Sequence, residues 1–437
     1  MPLSIDVSPV DLLMVAMVWV LSVLVVSWSV KNETAAVQRL IWYGLLAHQI
    51  AAVMMFIVTF GFTGGDMRVY ARVGAQIARL MRDDFFGVVP TVIAGFLRFE
   101  VPIPVGNVAF GSATGSMRAL SGIFMFLVFD SLPAVCCLIS LLTLLAKLSI
   151  FRALRQELAP QDSKVVAVGC LLLPSVVFWS SGLLKEPMAI IGLGIIAHGV
   201  RLLRTKRRLR GLIEIVLGGG LVFLLKGYVL PPLALSVGAW VGVSAQARKG
   251  RGMSGAAPLY WLLAGILGAV VIIATGSLMP QFAVDNLEDE FVEAQAIGAR
   301  TEGGSNYQLG GSSIFAQAPV AMATVLFRPF LFEVSNALML LSAIEMTWLT
   351  ALAVLALVRS GLLASLQRIT SDRTLMFCFA FTLSLGMGVG LATTNLGTLS
   401  RYRMPMMPFY YAVIAVLART KQTRRTADAL GAGALER

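Results

Sequence analysis

Apolar stretches of about 15 to 22 residues recur along the whole chain, separated by short polar links. Each is long enough to cross the roughly 30 Å hydrocarbon layer of a bilayer. In lipid, every backbone N–H and C=O must be bonded within its own element, so the repeating element is a helix. With 57% hydrophobic and 13% charged residues, the chain is too apolar for a water-soluble globular domain. The expected fold class is all-α: a polytopic transmembrane helix bundle of about 11 spans, residues 1–437 forming a single integral membrane domain. The spans are placed at 11–30, 39–61, 131–150, 165–181, 187–203, 211–226, 229–246, 256–277, 334–358, 374–392 and 404–419.

A net charge of +12 would suggest nucleic acid in a soluble protein. Here the basic residues sit mainly between apolar runs, which reads as topology control, and no nucleic-acid partner is predicted. The N-terminal "MPLSIDVSPVD" carries two acids and no base, unlike a signal peptide. The first run should therefore stay as a helix with its N-terminus extracytoplasmic. That orientation puts "RLLRTKRRLR" at 201–210 and the tail 420–437 on the cytoplasmic side, as the positive-inside bias prefers. Cys136, Cys137, Cys170 and Cys378 all lie within apolar runs, so no external disulfide or CxxC metal site is expected. His48 and His198 are the only histidines, too few for a zinc site.

Two long extracytoplasmic loops result, at 62–130 and 278–333. The first contains "GGDMRVYARVGAQIARLMRDD". Arg68, Arg72, Arg79 and Arg82 share one helical face, and Tyr70, Val73, Ile77 and Leu80 another. The pattern predicts an amphipathic interfacial helix over 67–82. "FFGVVPTVIAGFL" at 85–97 is apolar but short, and reads as re-entrant. The second loop holds an acidic run at 285–302 and a Gly/Ser-rich stretch. No cofactor is predicted. A divalent cation is admitted at the acidic run, although its carboxylates lack the order of a calcium loop and read better as a solvated lid.

Candidate functional residues gather at the outer boundary of this topology. They are Asp66 with Arg68, Tyr70 and Arg72; Lys185 and Glu186; Lys226 and Tyr228; and Arg328 and Glu333 with Arg401, Tyr402 and Arg403. Each has a plainer alternative. Asp66 could cap a helix, Lys185 and Glu186 could be a solvated pair, and Lys226 could snorkel. Glu333 could pair with Arg328, and Arg401 and Arg403 could meet lipid headgroups. Asp130 and Glu345 are costly acids in or beside apolar runs, explained either by function or by a local partner. Together, basic groups kept on the translocated side suit an anion at headgroup depth. Guanidinium matches phosphate through paired N–H bonds, and lysine adds a point charge. Sugar transfer from a lipid phosphate needs a base for the acceptor hydroxyl, here Asp66 with Glu186 as a second catalytic candidate. It also needs charge stabilisation on the leaving phosphate, here the Arg and Lys groups.

The segments "GGDMRVY", "FWSSGLLKEP", "FRPFLFE" and "NLGTLSRYRMPMMP" resemble polytopic bacterial polysaccharide-assembly proteins: membrane glycosyltransferases of the GT-C type and O-antigen-polymerase-like proteins. The resemblance implies a bacterial inner-membrane enzyme with a polyprenyl-phosphate-linked sugar donor, a glycan or lipid acceptor, and membrane lipids as partners. In GT-C enzymes an acidic residue in the first outer loop is the base. Asp66 matches it, although its loop follows the second span. The polymerase-like proteins rely on outer arginines, for which Arg328, Arg401 and Arg403 stand. The competing expectations are a transporter or flippase of lipid-linked glycan, and a non-catalytic envelope-assembly scaffold.

Overall fold

The computed structural model describes residues 7–63, 65–103, 105, 111–249, 295–296, 306–310 and 313–432. The regular elements among them are helical. In the first part of the chain these are α1 (Pro9–Ser29), α2 (Ala35–Val58), α3 (Asp66–Asp83), α4 (Phe85–Phe96), α5 (Ala113–Leu127) and α6 (Leu132–Arg155). Next come α7 (Ser163–Leu171), α8 (Pro174–Trp179), α9 (Lys185–Leu203), α10 (Arg208–Lys226) and α11 (Leu230–Lys249). The last are α12 (Ile314–Phe327), α13 (Ala337–Ser360), α14 (Leu362–Ser371), α15 (Arg373–Ala392), α16 (Leu396–Tyr402) and α17 (Met407–Ala432).

Among the described residues, seven stretches are long and apolar enough to cross a membrane: Pro9–Ser29, Ala35–Gly61, Leu132–Arg155, Lys185–Leu203, Arg208–Ser244, Ala337–Ser360 and Arg373–Ala392. Shorter apolar helices occupy Phe85–Phe96, Ala316–Phe327 and Met404–Arg419. The spans expected at 211–226 and 229–246 match the two halves of Arg208–Ser244, divided by a 3-10 turn at Gly227–Val229. The expected span at 165–181 is interrupted between α7 and α8, just before Pro174, which cannot continue a helix's hydrogen bonding. The span expected at 256–277 and the acidic run lie outside the described residues.

The chain divides into two compact units. Unit 1 comprises residues 1–153, 170–172 and 176–227, and unit 2 comprises 154–169, 173–175 and 228–437. In unit 1, α1 opens with a reciprocal cap: Asp11 N donates to Ser8 Oγ at 3.2 Å, and Ser8 N to Asp11 Oδ2 at 2.9 Å. Gly65, at φ +86°, turns the chain into α3, a conformation that favours glycine. The expected amphipathic helix is present, but α5, not lipid, covers its apolar face. Val73, Ile77 and Met81 cluster there with Val92, Ile103, Val105 and Ala119. A Cβ at Gly74 would meet Ser121 O at 2.9 Å, so glycine permits this close approach. Residues 62–130 therefore hold a packed three-helix layer, including α5, for which the sequence pattern predicts no helix.

Helices α9 and α10 also approach through glycines. A Cβ on Gly192 would lie 2.8 Å from Gly218 O, and one on Gly218 would lie 2.6 Å from Gly192 O. Gly199 and Gly211 repeat the contact seven residues along each helix. Small residues let backbones pack closely where lipid supplies no hydrophobic drive for association.

In unit 2, α12 packs on α15 through Gly390, where a Cβ would meet Ala321 O at 2.6 Å. Helix α13 lies against α17, and α11 against α15. The intramembrane acid Glu345 of α13 has a local partner. It accepts from Ser175 N at 2.7 Å and Ser175 Oγ at 2.6 Å, capping the first turn of α8. Asn336, Asp372 and Asn395 cap the starts of α13, α15 and α16.

Replacing Gly192 or Gly218 with Leu should destabilise the α9–α10 hairpin by about 1–3 kcal/mol. Gly219→Ala, whose Cβ meets nothing within 4 Å, should be neutral or slightly stabilising. Thermal unfolding in detergent reads both; equal effects at Gly192 and Gly219 would show that the contact is not tight.

Candidate functional site

The candidate residues fall in both units: Asp66, Arg68, Tyr70, Arg72, Lys185, Glu186 and Lys226 in unit 1, and Tyr228, Arg328, Glu333, Arg401, Tyr402 and Arg403 in unit 2.

In unit 1, Asp66 is the exposed first residue of α3. Arg68 turns back over the end of α2. Its Nε donates to Thr59 O at 2.9 Å and its Nη2 to Phe60 O at 2.6 Å, with the guanidinium 5.3 Å from the Phe60 ring centre. Tyr70 is buried on the apolar face of α3, whereas Arg72 is exposed. Lys185 Nζ donates to Thr114 Oγ1 at 2.8 Å, joining the start of α9 to the start of α5. Glu186 is fully buried and its Oε1 lies 2.8 Å from Lys226 Nζ. Two adjacent residues thus serve different partners, and Glu186 and Lys226 form an enclosed ion pair instead of a solvated boundary pair.

Arg98, absent from the sequence candidates, repeats the role of Arg68. Its guanidinium donates to Phe223 O at 3.1 Å and to Leu224 O at 2.7 Å and stands 5.5 Å from the Phe223 ring centre. Burial lowers its pKa. Arg152 does the same at the end of α1, donating to Ser29 O at 2.6 Å and to Glu33 Oε1 at 2.8 Å. Asp130 pairs with Arg82.

In unit 2, Arg328 follows α12 and grips Glu333 with Nε and Nη2, so the pairing expected from the sequence is present. Its guanidinium stands 4.8 Å from the Tyr307 ring centre. Arg403 is fully buried. Its Nη1 donates to Val325 O at 3.3 Å and to Arg328 O, at the end of α12, while Nε and Nη2 meet no hydrogen-bond acceptor among the described residues. Burial pushes this guanidinium down to about 10, against the opposing charges of Glu345, Tyr410 and Tyr307. A lipid-headgroup anchor would be exposed, so Arg403 is not one. Arg401 lies 5.7 Å from the ring centre of Tyr402, and both are half-buried, as is Tyr228.

Beside this group is a cleft of about 510 Å3. Pro319, Val320, Ala323 and Phe327 of α12 give it an apolar wall, with Phe330 and Phe332 from the following segment. Arg328 and Glu333 complete the lining. Phe330 and Phe332 stack at 5.3 Å, and Phe332 is 86% exposed. An apolar trough beside a guanidinium suits an amphiphilic anion.

The sequence candidates also omit a buried polar group in unit 1. Lys147 of α6 contacts His48 of α2 and Ser180, just beyond α8. Ser140, Thr143 and Lys147 recur at helical spacing on one face of α6, the pattern that could have revealed it. No group of three or more metal-ligating side chains occurs among the described residues.

No family model, curated protein or solved structure matches the chain.

Burial raises the carboxyl pKa of Glu333, but hydrogen bonds from Arg328 and Phe330 N and the charge of Arg328 outweigh it, leaving a net lowering. Its pairing should stabilise the fold at neutral pH and fade as pH falls below the unfolded-state value of roughly 4.3. Glu333→Gln should therefore unfold at lower temperature than the parent at pH 7, and the two should converge near about pH 3. A constant difference across that range would contradict the pairing.

Proposed function

We propose that this chain is an integral membrane glycosyltransferase or polysaccharide polymerase that takes sugar from a polyprenyl-phosphate-linked donor at the extracytoplasmic face. The observation that carries the reading is the unit 2 cleft, where the apolar wall of α12 adjoins Arg328 with Arg403 nearby. A polyprenyl chain would occupy the apolar trough, and its phosphate would meet the guanidinium. Arg328 uses Nε and Nη2 on Glu333, leaving Nη1 for a phosphate oxygen.

In the proposed reaction an acceptor hydroxyl oxygen bonds to the anomeric carbon as the bond from that carbon to the phosphate oxygen breaks. The hydroxyl proton passes to a carboxylate base, the role the sequence puts forward for Asp66. The polyprenyl phosphate leaves with the bonding electron pair, its charge offset by the unit 2 cations Arg328, Arg401 and Arg403. Asp66 is exposed, as a base meeting an incoming acceptor must be. Glu186, committed to Lys226, is better suited to positioning.

Eleven crossings with an outer N-terminus, in a bacterial inner membrane, accompany this reading. Contacts within unit 1 support the alternation. Arg98 and Thr114 of the proposed outer loop meet the end of α10 and the start of α9, and Arg152 meets the link after α1.

The test is product formation in nanodiscs from a radiolabelled polyprenyl-phosphate-linked sugar. Arg328→Ala should lower the rate about a hundredfold, as loss of a charge-stabilising donor does. Asp66→Asn should abolish product, with protein level in the membrane unchanged for both. Full product from both variants would remove the proposal. The buried Lys147 group favours a second reading, transport of a lipid-linked glycan, because ionisable side chains within a bundle mark transport pathways. Labelled lipid crossing the bilayer with no glycosidic bond formed would select it.

A further inference from the structure

Three side chains that meet inside unit 1 are fully buried: Lys147, His48 and Ser180. Lys147 Nζ lies 2.9 Å from His48 Nε2, 2.6 Å from Ser180 Oγ and 3.3 Å from Val176 O. His48 Nδ1 lies 2.7 Å from Gly44 O. A carbonyl only accepts, so Nδ1 carries the hydrogen and Nε2 presents its lone pair to Lys147. The Lys147 ammonium has three N–H groups and faces three acceptors. Ser180 accepts from Nζ and donates its own hydrogen to Val177 O at 3.2 Å. The charged form of Lys147 is thus fully bonded.

The neutral form can be fully bonded too. A neutral amine keeps two N–H groups, for His48 Nε2 and Val176 O, and gains a lone pair. Turning the Ser180 hydroxyl from Val177 O to Nζ supplies that lone pair with a donor. One hydroxyl rotation therefore lets the same cage hold either proton count. Cys170 of α7 interacts with Nζ electrostatically, and the α8 side presents the Ser180 hydroxyl and a carbonyl.

Holding the helices together does not require this. Neutral bonds already join them: Ser140 Oγ to His48 O at 2.6 Å, Thr143 Oγ1 to Ser180 O at 3.1 Å, and Ser140 to Ser181 at 2.9 Å. An ammonium in the membrane interior is expensive, and such groups mark proton and ion pathways. We propose that Lys147, His48 and Ser180 form an intramembrane proton-binding site that takes up and releases one proton, with Ser180 as its switching hydroxyl. The N–H bond of Lys147 breaks on release, its electron pair stays on Nζ, and the proton passes to water.

The test is solid-state NMR of the protein in lipid bilayers with 15N-labelled histidine. The chain has two histidines, so His198→Gln leaves the His48 signals alone. Between about pH 5 and pH 10 the His48 Nε2 resonance should shift with a single inflection while Nδ1 stays protonated. Lys147→Arg, which keeps its charge, should lose the inflection. A flat His48 signal in the parent protein, or an inflection unchanged by Lys147→Arg, would overturn the proposal. Should Lys147→Arg fail to fold, Ser180→Ala, which keeps Lys147 but removes the switching hydroxyl, should move the inflection, and an unmoved inflection would overturn the proposal. The readout involves no sugar transfer, so its outcome is separate from that of the proposed enzyme.

Discussion

Unbonded carbonyls at helix C-termini are the constraint on which this structure turns. A helix leaves its last carbonyls without intrahelical partners, and near lipid few waters are present to serve them. Side chains of Ser, Asp and Asn satisfy the opposite ends, as at α1, α13, α15 and α16. At the C-terminal ends arginines from elsewhere in the chain do the work. Arg152 serves α1, Arg68 serves α2, Arg98 serves α10 and Arg403 serves α12. The positive charge also complements the negative end of each helix dipole.

This gives a structural role to basic residues that the expected orientation would put on the translocated side. In that orientation Arg68, Arg98 and Arg403 would oppose the positive-inside bias, and each is placed where a helix ends. A guanidinium has five N–H donors, so capping does not exhaust it. Arg403 uses Nη1 on α12 and keeps Nε and Nη2 buried beside Arg328. Holding the helix and holding an anion are compatible tasks for one side chain, which is why the proposed phosphate site and the helix ends coincide in unit 2.

The long apolar helices were legible because each declares itself in continuous hydropathy. Helix α3 was equally clear, since its two faces differ so strongly in polarity. Helix α5 was hidden because Gly122, which looks like a turn residue, serves close packing; a Cβ there would meet Ile77 at 2.3 Å. Helix α12, which contains Pro319, lies within the loop that the sequence pattern puts at 278–333. The Arg328–Glu333 pair could be read because its members are five residues apart. The bonds from Arg98 to Phe223 and Leu224 and from Lys147 to His48 cross more than ninety residues, and no local pattern encodes such partners.

The most direct measurement compares thermal unfolding of Arg98→Ala with that of Arg72→Ala in one detergent. Both residues lie in the same layer, but Arg98 donates to the end of α10 whereas Arg72 is exposed. Alanine keeps the Cβ, so the left-handed backbone at Arg98, φ 70°, contributes equally before and after. Loss of the charged cap should cost Arg98→Ala about 1.5–3 kcal/mol. Arg72→Ala should stay within about 0.5 kcal/mol of the parent. Equal and small losses in both would contradict the claim that arginine caps hold the helix ends.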